Sequence, residues 1–206
     1  MSYSEYNFNN ELAECSHSYL TLPLFKLLNK NTNKKILDVG CGNGYLVRLL
    51  IEKGYDAYGI DASVSGINIA KKFYSDRFFL HNIENQDLPY SLNKMKFDTV
   101  ISTEVIEHIF SPVKFVEWIK SLLRSSQGQV IISTPYHGYL KNVIIAGLNK
   151  WDDHHTVLWE GGHIKFWSRK TLTKLLTEHG FVNIKFYGCG RIPLLWKSMI
   201  ITGEIK

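Results

Sequence analysis

The sequence has little cysteine and no long uninterrupted apolar run, and both absences narrow its class. Its three cysteines, Cys15, Cys41 and Cys189, are far apart and lack metal-ligand spacing, which is typical of a reducing compartment rather than of a disulfide-bonded secreted domain. No stretch reaches about 18 uncharged apolar residues, the length expected of a membrane-spanning helix. The acidic residues within the first 20 positions argue against a secretory signal. We therefore expect a cytoplasmic protein.

Strong charge of one sign is absent as well. The 24 Lys and Arg residues exceed the 19 Asp and Glu residues only slightly, which gives a net charge of +5. Because no basic stripe alternates with stacking aromatic side chains, we expect no nucleic-acid partner. With 206 residues and a hydrophobic content of 45%, the chain is long enough to bury one sizeable core, and we expect a single domain.

A glycine-rich turn follows the first apolar segment. Residues 35–44 are Lys-Ile-Leu-Asp-Val-Gly-Cys-Gly-Asn-Gly, and Asp61 ends the next apolar segment. Glycines allow a ligand to approach the backbone closely, and an acidic residue at the tip of a second strand accepts hydrogen bonds from ribose hydroxyls. This pattern indicates a nucleotide-type binding site.

The residues around the turn favour a cationic ligand over a pyrophosphate. Tyr45 stands at the sixth position of the turn, where a dinucleotide site has Gly or Ala. Asp38 lies two residues before the first glycine, and its carboxylate suits an ammonium or sulfonium group. A nicotinamide-dependent oxidoreductase is the alternative interpretation, and Tyr45 speaks against it.

Strand-like and helix-like segments alternate along most of the chain. This alternation predicts an α/β fold with a parallel sheet and helices on both faces. Ligands on such sheets bind beyond the carboxyl ends of the strands. The predicted strands are 36–39, 57–60, 77–81, 99–102, 130–133, 182–187 and 199–202, and the predicted helices are 45–53, 67–73, 113–123 and 170–179, with one or two more in 10–29.

Three segments carry a resemblance to class I S-adenosylmethionine-dependent methyltransferases. Residues 38–44 resemble the glycine loop of that family, and Asp61 resembles its ribose-binding acid. Residues 97–109 resemble its fourth strand and the loop after it. Residues 162–168, Gly-His-Ile-Lys-Phe-Trp-Ser, are similar to a segment of the ubiquinone-biosynthesis O-methyltransferases.

The resemblance implies a Rossmann-like, doubly wound and mostly parallel seven-stranded sheet with an antiparallel last strand. It also implies N-terminal helices and a lid insertion after the fifth strand. In this interpretation the single domain 1–206 has an N-terminal helical cap (1–33) and a cofactor-binding core (34–135). A lid and substrate insertion (136–167) and a C-terminal helix with strands (168–206) complete it.

The resemblance further implies S-adenosyl-L-methionine as cofactor, with S-adenosyl-L-homocysteine as product. Asn82 stands where the family often has an acidic residue, and its amide can still bond adenine. The residues expected to bind the cofactor are Asp38, Gly40, Cys41, Gly42, Asp61, Ala62, Asn82, Ile83, Thr103 and Glu104.

Histidines are the candidates for the base, since the unperturbed pKa of histidine lies near neutrality. We expect His163, His137 and His108 in catalytic roles. Glu107 and His108 match a pair that borders the substrate pocket in the family, although a structural role for the pair is equally consistent with the sequence.

The insertion 136–167 leaves two further questions open. Asp152, Asp153, His154 and His155 together with Glu160 offer ligands for a metal ion, but adjacent residues rarely point at one ion. We therefore expect a solvated polar turn there and no metal. Segment 139–151 is a candidate for peripheral membrane contact through an interfacial helix with basic ends, Lys141 and Lys150; the alternative is a lid packed over the substrate pocket.

These observations together predict a methyltransferase that acts on a small-molecule acceptor. The predicted reaction is O-methylation of a hydroxyl group, on a phenolic or quinol-like ring or on a sugar. A non-catalytic module that binds S-adenosylmethionine is the other alternative. The sequence does not determine the oligomeric state.

Overall fold

A seven-stranded mixed sheet forms the centre of the computed structural model, which describes residues 6–83, 87–155, 158–159 and 161–206. The strands are β1 Lys35–Val39, β2 Asp56–Asp61, β3 Phe78–Leu80, β4 Thr99–Thr103, β5 Gln129–Pro135, β6 Phe181–Cys189 and β7 Ser198–Ile205. Their order is β3-β2-β1-β4-β5-β7-β6. β1 to β5 pair in parallel, and β7 runs antiparallel to both β5 and β6. The predicted Rossmann-like fold with an antiparallel last strand is confirmed.

Helices connect the strands, and polar side chains begin several of them. The helices are α1 His17–Leu27, α2 Tyr45–Glu52, α3 Val64–Ala70, α4 Pro112–Leu122, α5 Tyr139–Gly147, α6 Trp151–His155 and α7 Arg169–Glu178, with a short 3-10 helix at Ile106–His108. Ser63 caps α3, and Ser168 forms a capping box with Thr171 at the start of α7. The predicted helices 45–53, 113–123 and 170–179 agree with α2, α4 and α7 to within one residue at either end.

Each face of the sheet has its own apolar core. On β1, Ile36 packs into one cluster with α1 and α2, while Leu37 packs into the other cluster with α4 and α7. The same alternation separates Ile131 from Ile132 on β5, because successive side chains of a strand point to opposite faces. The two cores explain why the central strands carry apolar side chains on both faces.

The N-terminal region has one helix within the range 10–29, where one or two were predicted. Only α1 forms, and residues 6–14, here called the N-terminal strap, run without helix across the glycine loop. The Asn43 side chain donates to the carbonyl oxygens of Asn10 and Leu12 at 2.9 and 2.8 Å. The Asn43 side chain thus pairs with backbone carbonyl groups of the strap. In a helix, such groups would be paired within the helix itself.

The insertion contains two helices, α5 and α6, on the side of β5. Thr156, Val157 and Glu160 of this insertion lie outside the described residues. Within the described part of the chain, no helix is long and apolar enough to cross a membrane.

Candidate active site

The glycine loop leaves the carboxyl end of β1 and turns tightly before α2. Gly40 and Gly42 adopt φ values of +81° and +54°, which cost other residues conformational energy. A Cβ atom at Gly40 would lie 2.3 Å from a methyl carbon of Val105, and one at Gly42 would lie 2.6 Å from the Phe8 ring. The loop therefore requires glycine for its backbone conformation and for its close contacts on both sides.

Asp61 at the end of β2 is tied directly to this loop. Its Oδ2 accepts the N–H of Gly42 at 2.7 Å, and its Oδ1 accepts the N–H of Ser63 at 2.7 Å. A carboxylate has about four acceptor positions, and the Ala62 backbone is a third donor beside it, so part of its acceptor capacity remains for the hydroxyls of a ribose. The structure thus brings together the two motifs that the sequence analysis paired.

Asp38 lies beneath the loop as a buried carboxyl group. Its Oδ1 has no hydrogen-bond partner among the described residues. Burial, and secondarily the nearby Asp61, raises the pKa of Asp38 to about 8. A bound cation would compensate the buried charge, and S-adenosylmethionine carries both an ammonium and a sulfonium group. The site therefore fits the expected cofactor.

Cys41 is less exposed to a ligand than its position in the loop suggests. A Cβ atom at Gly59 on β2 would lie 2.7 Å from the Cys41 Sγ, so the thiol packs against that strand, and burial raises its pKa well above the usual value. The Cys41 thiol is therefore buried against β2.

The remaining predicted cofactor residues lie along the same edge of the sheet. Ala62 directly follows Asp61 and is half-buried. The N–H of His81 donates to the Asp61 carbonyl at 2.8 Å, which places the next residues, Asn82 and Ile83, beside the end of β2. Asn82 is exposed, and Ile83 packs against the core.

Thr103 and Glu104 end β4 next to β5. Thr103 pairs with Ser133 in the sheet, and Glu104 adopts a left-handed φ of 55°. The Glu104 carboxylate accepts hydrogen bonds from the hydroxyls of Ser133 and Ser198 at 2.8 and 3.1 Å. Burial raises the pKa of Glu104, although both hydroxyl bonds oppose this shift.

Glu107, His108 and His163 form a compact polar cluster just beyond β4. Potential ligand atoms of the three side chains all lie within 4.8 Å of one another. The rings of His108 and His163 are 4.9 Å apart. Two backbone bonds hold the His163 segment in place, since the N–H groups of Ile164 and Lys165 donate to the Glu107 carbonyl at 2.9 and 3.0 Å.

Burial controls the protonation of this cluster. It lowers the pKa of His108, and together with the nearby His108 it lowers the pKa of His163 to about 4. Both imidazoles are therefore neutral at pH 7. Burial also raises the pKa of Glu107 well above its usual range, and the neighbouring Glu104 adds to this shift.

His137 belongs to a different group of side chains. Its ring lies 5.8 Å from His154 and from His155 and 5.1 Å from Phe166. Burial, followed by the charge of Lys141, lowers the pKa of His137 to about 4. The structure thus pairs His108 with His163, while His137 contacts the histidines of α6.

The acidic pair of α6 does not converge with these histidines. Asp152 and Asp153 are exposed, and Asp153 pairs with Lys150 at 3.0 Å. Glu160, the fifth member of that hypothetical metal set, lies outside the described residues. Among the residues described, the only group with metal-ligand geometry is that of Glu107, His108 and His163, which the sequence analysis did not recognise as a set.

Lys141 is a second feature that the sequence analysis missed. It was assigned to the basic end of an interfacial helix, but it is only 6% exposed, and its Nζ donates to the Tyr136 carbonyl at 2.8 Å. Burial, and then the charge of Arg191, lowers its pKa to about 8. Lys141 and Arg191 line a cavity of about 480 Å³ together with Ile144, Ile145, Ile192 and Leu195. The position of Lys141 within the apolar sequence of α5 was the feature from which its burial could have been predicted.

Comparison with known proteins places these features in a family. A family model described as a methyltransferase domain matches residues 10–185. The ubiquinone biosynthesis O-methyltransferase of Acinetobacter baylyi is 30% identical over 105 residues, which are 49% of this chain and 43% of that protein. The mitochondrial ubiquinone biosynthesis O-methyltransferase of Dictyostelium discoideum is 33% identical over 111 residues, 48% of this chain and 34% of that protein. The matched region spans half or less of the length of these relatives.

Solved structures share the fold at low identity. The magnesium protoporphyrin IX methyltransferase of Synechocystis, solved with bound SAH, aligns over 91% of this chain and 82% of its own at 18% identity, with a TM-score of 0.65. An S-adenosylmethionine-dependent methyltransferase of Mesorhizobium loti aligns over 89% and 96% at 16% identity, with a TM-score of 0.68.

These matches agree with the geometry of the site. They support S-adenosyl-L-methionine as the cofactor, and they confirm the resemblance to the ubiquinone-biosynthesis group. The family model extends from the N-terminal strap to β6, so the expected cofactor residues lie inside the matched region. Because this model matches most of the sequence, the chain belongs to the methyltransferase family.

Proposed function

We propose that this protein transfers the methyl group of S-adenosylmethionine to a hydroxyl oxygen of a small-molecule acceptor, on a phenolic or quinol-like ring or on a sugar. The observation that carries this proposal is the cluster of one buried carboxyl group and two half-buried, neutral imidazoles beside the end of β4. The names of the relatives, which are O-methyltransferases, support oxygen as the acceptor atom.

The cofactor end of the site positions the methyl donor. Bound S-adenosylmethionine supplies an electrophilic methyl group. Asp38 offsets the positive charge of the ligand, and the free acceptor positions of Asp61 bind the ribose hydroxyls. The glycine loop allows the backbone to lie close to the ligand. Much of the rate gain in such a displacement comes from alignment and exclusion of water.

In this proposal the histidines accept the proton of the acceptor hydroxyl. His163 and His108 are neutral and therefore able to accept a proton from the hydroxyl as the oxygen attacks. His137 is the third candidate, at the end of β5. The buried Glu107 stands beside both members of the first pair.

The lid contributes the acceptor pocket in this proposal. The cavity beside α5 combines the cationic side chains of Lys141 and Arg191 with apolar walls, which suits a ring or chain with an anionic substituent. The outer face of α5 and the start of α6 would rest on a membrane surface, since Tyr139, Leu148 and Trp151 are more than half exposed.

The cofactor assignment is tested by calorimetric titration with S-adenosylhomocysteine and, separately, with NADH. We expect saturable binding of S-adenosylhomocysteine alone. Asp61→Ala should weaken it by about 1–3 kcal/mol, the range for the loss of charged hydrogen bonds, or about 5- to 150-fold in Kd. Asp76→Ala, which changes a surface carboxylate that is 78% exposed, is the matched control. Binding of NADH instead would establish the oxidoreductase alternative.

An assay of methyl transfer distinguishes the proposed enzyme from a non-catalytic module that binds S-adenosylmethionine. A panel of phenols, catechols and sugars is screened for methyl transfer, and the best acceptor is used with His163→Ala. We expect unchanged cofactor affinity and a loss of turnover of about 10²–10⁴-fold if His163 acts in proton transfer. A loss below tenfold would remove His163 from the catalytic group.

A further inference from the structure

Two cationic side chains line the cavity beside α5 without an acidic partner. Lys141 is only 6% exposed, and Arg191 lies on the loop 190–197 that joins β6 to β7. Among the described residues, no carboxylate forms an ion pair with either side chain. Glu104 acts on Lys141 only at a distance, through its charge. A buried cation without a paired counter-ion is unfavourable, so the cavity favours an anionic ligand.

The two cations lie close together and have N–H groups to spare. Burial, and then the charge of Arg191, lowers the pKa of Lys141, so the two positive charges repel each other. The Lys141 ammonium donates to the carbonyl oxygens of Tyr136 and Lys197 at 2.8 and 3.5 Å, which leaves one of its N–H groups free. The guanidinium of Arg191 adds a planar fork of donors that matches the oxygens of a phosphate or a carboxylate.

The donors around the cavity come from three separate elements. Lys141 belongs to α5, His154 to α6 and Arg191 to the loop 190–197. Burial, and then the charge of Lys141, lowers the pKa of His154, so its ring is neutral at pH 7 and can donate one N–H. A carboxylate presents its oxygens in one plane, whereas a phosphate ester presents them in tetrahedral directions. Donors on three elements therefore suit a phosphate better.

The loop 190–197 holds Arg191 in a defined conformation. The N–H of Lys197 donates to the carbonyl oxygens of both Cys189 and Gly190, at 3.0 and 3.1 Å, and thereby closes the loop at its base. Arg191 and Leu194 adopt left-handed φ values of 65° and 68°. Such values are unfavourable for residues other than glycine and are typical of functional sites.

The remaining walls of the cavity are apolar. Ile144 and Ile145 of α5 face Ile192 and Leu195 of the loop across it, and Ile192 is 64% exposed. Sites for organic ligands combine such walls with a few polar groups. A free phosphate ion would leave these side chains uncovered, so the ligand that fits the cavity carries an apolar part.

The cavity borders the side chains proposed to accept the proton. The His154 ring lies 5.8 Å from that of His137. His154 also contributes to the lowered pKa values of His137 and His163, after burial in both cases. A ligand bound by its phosphate in the cavity can therefore extend a hydroxyl group toward these imidazoles.

We infer that the cavity beside α5 binds a phosphate group of the acceptor, and that the acceptor is a phosphate ester with an apolar part and a hydroxyl group. Lys141, Arg191 and His154 bind the phosphate oxygens, and the isoleucines and Leu195 cover the apolar part. This inference rests on the proposed function. It narrows the acceptor from any ring or sugar to one that carries a phosphate.

The first test is calorimetric titration of the full chain with octyl phosphate, octanoate and octyl glucoside, each below the concentration at which it forms micelles. We expect one octyl phosphate per chain, bound about tenfold or more tightly than the other two, because only the phosphate satisfies all the charged donors. Equal or tighter binding of octanoate or octyl glucoside would overturn the inference.

Variants of the two cations test where the phosphate binds. Arg191→Gln and Lys141→Met should each weaken octyl phosphate binding by about tenfold or more. Lys150→Met removes the same charge from a side chain of the insertion that is 63% exposed, and it should bind as the unaltered protein does. Full affinity in Arg191→Gln, or the same loss in Lys150→Met, would overturn the inference. Binding of S-adenosylhomocysteine reports the folding of each variant.

Competition identifies the source of the phosphate. Phenyl phosphate and, separately, phosphatidylcholine vesicles with and without phosphatidic acid are added to the complex with octyl phosphate. Displacement by phenyl phosphate indicates a water-soluble ester, whereas displacement only by the vesicles with phosphatidic acid indicates a lipid headgroup. Displacement by neither would contradict a phosphate site.

Methyl transfer to hydroxyphenyl phosphate distinguishes the inference from the proposed function. Arg191→Gln should raise KM by about tenfold or more and leave kcat nearly unchanged, since Arg191 binds a part of the acceptor that does not react. Turnover with an unchanged KM in Arg191→Gln would overturn the inference and leave the proposed function intact. If octyl phosphate binds in the expected pattern but no hydroxyl acceptor is methylated, the phosphate site stands and the proposed function fails.

Discussion

Two buried carboxyl groups, Asp38 and Glu107, lie at opposite ends of the candidate site. Asp38 and Glu107 are each about 1% exposed, and each has one carboxylate oxygen without a partner among the described residues. Burial of such groups is unfavourable unless something compensates it. Asp38 lies at the glycine loop, where a cationic cofactor would favour its ionised form, and Glu107 lies beside the proposed acceptor region.

The pKa of about 8 at Asp38 leads to a prediction about proton release. At pH 7 this carboxyl group is mostly protonated in the ligand-free protein, while a cationic cofactor favours the ionised form. Binding of S-adenosylmethionine should therefore release close to one proton. Calorimetry at pH 7 in buffers with different ionisation enthalpies measures this number. Asp38→Asn should bind more weakly and release none, and Asp76→Asn should behave as the unaltered protein.

The raised pKa of Asp38 also predicts how the stability of the folded protein changes with pH. An acid whose pKa is raised in the folded state holds its proton longer there than in the unfolded chain. The ligand-free protein should therefore lose stability as the pH rises from about 4 to about 8, and Asp38→Asn should reduce this loss. Equal slopes of unfolding free energy against pH in the two proteins would contradict the assignment.

At the scale of elements, the glycine loop is held between the N-terminal strap and the rest of the site. Phe8 lies against Gly42, and the backbone N–H of Phe8 donates to the Ser65 hydroxyl at 3.0 Å. The Ser63 hydroxyl donates to the Tyr6 carbonyl at 2.7 Å. The strap therefore depends on the loop conformation, and a change in the loop should loosen it.

Gly42→Ala tests this dependence, with Gly147→Ala as the matched control. The first adds a methyl group 2.6 Å from the Phe8 ring at a φ of +54°, while the second, at the end of α5, has no atom within 4 Å. We expect Gly42→Ala to lower the unfolding free energy by about 1–3 kcal/mol and to weaken cofactor binding. Gly147→Ala should be neutral or stabilise by up to about 1 kcal/mol.

Denaturant unfolding and proteolysis of the strap measure the two effects. If Gly42→Ala matched Gly147→Ala in stability and left cleavage of the strap unchanged, the close packing of Phe8 on the loop would be wrong.

At the scale of the whole molecule, the insertion 136–167 carries the surface that we propose contacts a membrane. The burial of Lys141 removes one of the two basic ends predicted for the interfacial helix, while Lys150 is exposed. Membrane contact would therefore rely mainly on exposed apolar side chains, helped by the net charge of +5.

Vesicle binding tests this proposal on the full chain. Leu148→Ser combined with Trp151→Ser should reduce partitioning onto vesicles with anionic lipid by about tenfold or more, because each inserted side chain contributes about 1.5–3 kcal/mol when fully buried. Leu22→Ser combined with Tyr90→Ser, at other exposed positions, is the control and should leave partitioning unchanged. An equal loss in both pairs, or no vesicle binding by the unaltered protein, would favour a lid that only covers the acceptor pocket.

The sequence by itself determined the features that depend on residues close together in the chain. The glycine loop, the acid at the end of β2 and the alternation of strands and helices are local patterns. The carboxyl ends of β1, β2 and β4 meet at one edge of a parallel sheet, so Asp38, Asp61 and Thr103 could be placed near one another before the structure was known.

Only the tertiary structure decided the cluster of Glu107 with His163, the burial of Lys141 and the course of the strap. Each depends on contacts between residues far apart in the chain. The backbone bonds from the His163 segment to Glu107 form only after β4 and the insertion are both in place. Likewise, the strap keeps its non-helical course because Asn43, Ser63 and Ser65 form hydrogen bonds with it. Local propensity contains no information about such partners, and they exist only once the sheet has brought the segments together.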